Sequence, residues 1–491
     1  MSKNSKIKVN LREKCLATPV SNKSVKISQK NADKLDAAFT LHQQGLLNEA
    51  EAIYKEVLQT QPEHFDALQL MATIAVQQGN PALAVEFFDK VLKINPNHAE
   101  VLNNLGTALV NLNRTEEALK CYDRALGIKT DFVKAHINRG VALRDLKRIE
   151  EALESIENAL KIDPNNVVAY WHESMCRLLI GDFALGWRRY ESRWNNEPLL
   201  RERRNFKQPL WLGKEKLGEK IILLHGEQGF GDTIQFCRYA KQVAGLGGKV
   251  ILEVQPQLKT LMKSLDGVAM VLGTGDVLPD FDFHCPLMSL GLALVVNLEN
   301  ISGESYLQSD PVKVREWKTN LGSGKKKKIG LVWSGRTTHT NDINRSVPLA
   351  EFMAIVNVDA DFYCLQKELR PADKFVLEQT PTIRFLGDEI IDFSDTAALI
   401  ELMDLVITVD TSVAHLAGAM GKPVWIMLPY RPDWRWMLNR NDSPWYNSAR
   451  LFRQPKIGDW VSTINEVVAA LKELVGCGNA PQLTISSPEP L

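Results

Sequence analysis

The chain has 491 residues, 45% hydrophobic and 24% charged, which is the composition of a globular protein with several buried cores rather than a disordered or fibrous one. Its 59 Lys and Arg balance 59 Asp and Glu, so no general field favours nucleic acid or an anionic membrane, and no run of about 20 apolar residues offers a transmembrane span. Seven scattered cysteines without a C-x-x-C pair fit a reduced, cytoplasmic setting.

Residues 1–30 are rich in Lys and Arg, with Glu13 their one acidic residue, and no apolar run of signal-peptide length comes after the charges. They read as a disordered basic leader. From residue 31 to 200 the chain repeats every 34 residues. Proline or its substitute recurs at Pro62, Pro96, Thr130, Pro164 and Pro198; a small residue at Ala50, Ala84, Ala118, Ala152 and Gly186; a bulky one at Tyr54, Phe88, Tyr122, Ile156 and Tyr190. This pattern resembles the tetratricopeptide repeat, in which each unit is a helix pair whose small residues permit close packing and whose proline ends the second helix. The fifth unit is atypical, with Trp187, Tyr190 and Trp194 clustered, as suits a unit that closes the stack and docks onto the neighbouring domain. Asn104 and Asn138 share one register on the first helix of successive units. The resemblance implies a peptide groove there; solvated asparagines are the plainer reading, and Asp36, Leu70 and His172 interrupt the row.

After Lys220 the pattern changes to alternating strands and helices. Strand-like runs at 221–224, 249–254, 268–272 and 281–285 predict one parallel sheet over 205–318. The polar stretch 319–328, with four consecutive lysines beside Gly-Ser-Gly, reads as a linker. Runs at 329–333, 361–365, 383–386, 405–410 and 423–428 predict a second sheet over 329–475, with a disordered tail, 476–491, after it. The fold class is therefore α plus α/β. Such sheets bind ligands at the carboxyl ends of their strands. Those ends carry Gln228, Gly229, Gly231 and Asp232 in the first layer, and Ser334, Gly335 and Asp410 to His415 in the second. Thr411 or Ser412 can cap the helix that starts there, and its unpaired N–H groups suit a diphosphate. A simple capped helix with His415 satisfied inside the fold is the alternative.

HGEQGFGDTIQF (225–236), GLVWSG (330–335), DFSDTAALI (392–400), DTSVAHLAGAMGKPVW (410–425) and RPDWRWML (431–438) together resemble the glycosyltransferase domain found behind tetratricopeptide repeats, similar to glycosyltransferase family 9 (heptosyltransferase). The resemblance implies a GT-B fold of two Rossmann-like domains, the first on the acceptor side and the second on the donor side. It implies transfer from a nucleotide sugar to a protein or glycan acceptor chosen by the repeats, inverting and without metal or other cofactor. Asp232 would be the catalytic base, a role that a carboxylate near a sugar or Ser/Thr hydroxyl can fill, against a plain helix cap. Asp410, Thr411, Ser412 and His415 would grip the donor diphosphate beside Ser334 and Gly335. Arg345 is the first candidate cation and Lys422 the second. Ser412 stands where the family usually has glycine, so heptose is not implied. Asp280 and Asp282 spell D-x-D, but strand-edge aspartates are the better account. The aromatics Trp425, Tyr430, Trp434, Trp436, Trp445 and Tyr446 read as packing before stacking platforms. The competing functions are a non-catalytic repeat scaffold and a GT-B nucleotide-sugar epimerase.

Overall fold

A computed structural model describes residues 22–196, 199–339 and 341–476. Most of the basic leader, Pro198, Cys15, Cys477 and the tail beyond Gly476 lie outside the described residues. The chain divides into two compact units, one of residues 1–176 with 192–201, the other of residues 177–191 with 202–491.

The first unit is a solenoid of antiparallel helices: α1 (Asn22–Gln43), α2 (Leu47–Thr60), α3 (Phe65–Gln77), α4 (Pro81–Ile94), α5 (Ala99–Asn111), α6 (Thr115–Ile128), α7 (Val133–Asp145), α8 (Ile149–Ile162) and most of α9 (Val167–Leu179). Helix α1 starts at Asn22, ahead of the residue 31 at which the repeats were expected to begin. The 34-residue period has a direct packing cause. Ala50, Ala84, Ala118 and Ala152 are fully buried, and the bulky position one turn later fills the space they leave. Tyr122 lies over Gly106, where a Cβ would stand 2.5 Å from the ring, and Ile156 lies over Gly140 in the same way, at 2.6 Å. Small and large residues therefore interdigitate between the helices of a pair. The prolines fall two residues after α2, α4 and α8, where a helix must already have ended.

The second unit opens with α10 (Phe183–Tyr190), the second helix of the fifth repeat by sequence. Its apolar face is aromatic and packs within this unit: Trp187 stacks on Phe183 at 5.6 Å, meets Trp434 at 5.3 Å and Phe236 at 5.8 Å, and donates its indole N–H to Val296 O at 2.9 Å. The repeat region expected to run to 200 thus gives up α10 to the α/β unit.

Two all-parallel sheets complete this unit. The first contains β1 (Ile221–His225), β2 (Lys249–Val254), β3 (Val268–Gly273) and β4 (Phe283–Pro286), in the order β3-β2-β1-β4. The second contains β5 (Lys328–Val332), β6 (Asp361–Cys364), β7 (Ile383–Phe385), β8 (Leu405–Val409), β9 (Val424–Leu428) and β10 (Ala449–Arg453), in the order β10-β9-β8-β5-β6-β7. Every strand foreseen from the apolar runs is present, and β10 is added. Residues 319–328 are not a simple linker. The helix Pro311–Leu321 covers their first part, and Lys313 and Trp317 on it bond Asp395 of the second layer at 2.7 and 3.2 Å. The crossing between layers lies earlier, where Tyr306 and Leu307 donate to Ala419 O at 2.8 and 3.1 Å.

Strand order fixes where a site can form. In the first sheet the order reverses beside β1, with β2 on one side and β4 on the other. In the second it reverses beside β5, between β6 and β8. Loops leaving such strands diverge to opposite faces and open a crevice at the carboxyl edge.

Candidate active site

The loop after β1 is held from both sides. Gln228 O accepts from Gln255 Nε2 at 2.7 Å, and Gln228 Nε2 donates to the Tyr190 hydroxyl of α10 at 3.0 Å. Helix α11 (Phe230–Phe236) starts at the N-cap Gly229. Asp232, on its first turn, accepts the Gly229 N–H through Oδ2 at 2.8 Å, so the carboxylate does cap the helix. Its other oxygen, Oδ1, accepts from Arg435 Nη2. The Asp232 side chain is 22% exposed, and each carboxylate oxygen has a second lone pair. Gly231 is required by contact, because a Cβ there would meet the His415 ring at 2.8 Å.

In the second layer, Gln366 organises the turn after β5. Its Oε1 accepts from Trp333 N at 2.7 Å and Ser334 N at 3.1 Å, while its Nε2 donates to Ser334 Oγ at 3.0 Å. Gly335 N donates to Ser346 Oγ at 3.0 Å. The Arg345 guanidinium lies over Gly335, where a Cβ would come within 2.5 Å of Nη2, and its Nη1 donates to Asp410 O at 3.0 Å. Arg345 is therefore no loose loop cation. It braces the Gly335 turn against the Asp410 turn, with Asp342 3.8 Å from its Nε.

Strand β8 ends at Val409, and the helix Ser412–Ala419 comes next, with Thr411 as its N-cap residue. Thr411 turns its hydroxyl to Thr408 Oγ1, 3.1 Å away, and among the described residues no side chain caps the helix. His415 is buried. Its Nδ1 is 2.8 Å from the Tyr446 hydroxyl and its ring stacks on Trp436 at 5.2 Å. Burial, and then Arg435, Arg238 and Arg345 around it, hold its pKa well below the ordinary histidine value, so the ring is neutral. At the Asp410–His415 turn it therefore brings no charge and packs between Tyr446 and Trp436. Lys422, the second candidate cation, lies beyond the far end of the same helix and pairs with Glu401 at 2.5 Å. Burial, then Asp433, raises the Asp410 pKa to about 6.

The two layers meet at these turns. His415 rests on Gly231, Phe230 packs on Phe393 at 4.9 Å, and Arg336 lies over the Phe230 ring at 5.5 Å. Arg435 crosses from one layer to the other. It pairs with Asp232, with Asp433 Oδ1 at 2.9 Å and with Gln235 Oε1 at 2.6 Å. Arg435, Asp433, Gln235 and Gln366 were missed from sequence. The signal available was a charged residue between two tryptophans in DWRW. Trp434, Trp436, Trp445 and Tyr446 are buried packing, Trp425 lies against Phe452 at 5.3 Å, and Tyr430 is half-buried. Asp282 accepts Ile221 N at 2.8 Å, at the amino edge of the first sheet, opposite to the loops just described.

In the repeats, Asn104 and Asn138 are joined through a third asparagine. Asn138 Nδ2 donates to Asn103 Oδ1 at 2.8 Å, and Asn103 Nδ2 donates to Asn104 Oδ1 at 3.2 Å.

The architecture is thus a tetratricopeptide-repeat solenoid followed by parallel α/β layers of glycosyltransferase type. Tetratricopeptide-repeat families match residues 35–99, 75–136 and 133–166, and glycosyltransferase family 9 (heptosyltransferase) matches residues 389–431. That last segment holds the Asp410–His415 turn. The chain is similar to Protein FlbA of Caulobacter vibrioides (strain ATCC 19089 / CIP 103742 / CB 15), 26% identical over 333 residues that cover 60% of this chain and 53% of that protein. It spans about half the length of this curated relative. Similar solved structures include PilW, described as a widely conserved type IV pilus biogenesis factor, with 23% identity, TM-score 0.33, and 35% of this chain and 82% of that one covered. The pilF protein of Pseudomonas aeruginosa is 21% identical, with TM-score 0.32, and 34% and 76% covered. Among the described residues no helix is long and apolar enough to cross a membrane.

Proposed function

We propose that this protein transfers a sugar from a nucleotide-sugar donor to a protein or glycan acceptor held by the repeats, with inversion and without a metal. The observation that carries this reading is the junction of two switch-point edges at Gly231 and His415, with a carboxylate on one side and an uncapped helix start on the other. The donor diphosphate would lie against the N–H groups of Ser412 and its neighbours, between Ser334, Gly335 and the Asp410–Thr411 turn, with Arg345 behind it as the fixed cation. The acceptor hydroxyl would approach from the Gln228–Gly231 loop. Asp232 takes its proton, the acceptor oxygen bonds to the anomeric carbon, and the sugar–phosphate bond breaks with its electron pair leaving on the nucleoside diphosphate. In the repeats, that asparagine chain uses the Asn104 amide oxygen and the Asn138 amide N–H, which leaves a donor group on Asn104 and an acceptor on Asn138 to meet the complementary groups of an extended peptide backbone.

A second reading, a non-catalytic scaffold, draws support from the engagement of both Asp232 oxygens. Thermal-shift measurement with nucleotide sugars of each base separates the two. The transferase binds one nucleotide class selectively and its transition rises with ligand concentration. A flat response to every donor rejects the transferase.

A further inference from the structure

Arg435 makes contacts that the transfer scheme does not use. The residue is 6% exposed, and its guanidinium lies 4.3 Å over the Trp434 ring. Three oxygen acceptors surround it, Asp232 Oδ1 and Gln235 Oε1 from α11 and Asp433 Oδ1 from its own segment, with Met288 Sδ 3.8 Å from Nη2. Gln235 is itself fully buried. Only a planar fork of several N–H donors reaches acceptors on three sides at once; a lysine ammonium at the end of a flexible stem does not. Asp232 Oδ2 is already fixed by Gly229 N, so the contact with Arg435 at Oδ1 sets the remaining rotation of the carboxylate. A buried cation is costly unless it is paired. The two carboxylates outweigh that burial here and raise the Arg435 pKa above its ordinary value.

We propose that Arg435 is the positioning residue for Asp232: carried on the donor-side layer, it aims the acceptor-side carboxylate and makes the base competent only when both layers close around the guanidinium. This inference rests on the transfer reading above. When Asp232 accepts the acceptor proton it loses its charge, and Asp433 remains to balance Arg435, so the step strands no lone buried cation. The arrangement also ties specificity of assembly to chemistry. A chain in which the Trp434–Trp436 segment is displaced retains Asp232 as a helix cap but loses its aim.

The test uses the full chain and its R435K, R435Q, D232N and D232N/R435Q variants. Three quantities are measured: the denaturant midpoint, the affinity for UDP, GDP, ADP and CDP, and the release of nucleoside diphosphate from the matching nucleotide sugars. The R435Q midpoint should fall, and at least about half of that fall should vanish in the D232N background, because the residues share one interaction. R435K should fold, bind nucleoside diphosphate within about twofold of the parental chain, and lose about 100-fold in kcat with KM little changed. A purely structural arginine would instead change the midpoint and leave kcat of the folded R435K unaltered. Additive midpoints, or R435K turning over at the parental kcat, overturn the positioning role alone. A parental chain that neither binds any of the four diphosphates nor turns over any nucleotide sugar overturns the transfer reading, and this role with it.

Discussion

Five turn residues, at the same register of successive units, share a left-handed backbone: Gly45, Gly79, Asn113, Lys147 and Gly181, with φ of 82°, 76°, 59°, 63° and 83°. Glycine adopts that conformation freely and asparagine tolerates it, but a lysine is strained there. Lys147→Gly should therefore raise stability by about 1 kcal/mol, and Asn113→Gly by less; urea unfolding checks both, and a destabilised K147G contradicts the turn account. Two groups at the candidate site give opposite pH dependences. His415 has a depressed folded pKa, so below about pH 6.5 the unfolded chain binds a proton that the folded chain refuses, and stability falls as pH drops. Asp410, raised to about 6, holds its proton longer when folded, so its contribution is present below about pH 4 and lost as pH rises through 6. His415→Gln should flatten the decline between pH 7 and 5, and Asp410→Asn the decline from pH 4 to 7. Denaturant midpoints read across that range decide both. If H415Q tracks the parental curve, the imidazole is not held neutral by burial.

The element whose place in the molecule departs most from its place in the sequence is α10. Its small residue Gly186 and bulky residue Tyr190 keep the repeat spacing, although it is 8 residues long against 14 for α2, α4, α6 and α8, yet Phe183 and Trp187 share a core with Phe236, Trp434 and Trp445. Gly291 is cut to fit, since a Cβ there would sit 2.6 Å from the Trp187 indole. Trp187→Ala should cost about 3–5 kcal/mol. Hydrogen exchange should show the loss across 177–191 and 202–476 while amides of α2 to α8 keep their protection; uniform loss, or none, contradicts the assignment of α10. Periodicity made the helix visible, but which core it joins is a tertiary fact. The same limit hid β10, whose ARLFR carries arginines at its one exposed and its one half-buried position and borders the sheet. It also shifted the expected linker, because Trp317 and Lys313 find Asp395 only in three dimensions.

At the scale of the molecule, strand ends were legible because β-branched runs stop at glycine and aspartate, and in a parallel sheet those ends gather on one edge. That reasoning brought Asp232, Ser334, Gly335 and the 410–415 turn into view together. It did not reveal Arg435 or Gln366, since a side chain that joins two loops more than 30 residues apart leaves no local pattern. The central claim is that these two edges form one transfer site, with a proton acceptor on one and a phosphate cradle on the other. The most direct measurement is single-turnover release of nucleoside diphosphate by the full chain and by Asp232→Asn, with the donor that gives the largest thermal shift. The account predicts at least about 100-fold slower release in D232N with donor affinity unchanged. Release at the parental rate would contradict it.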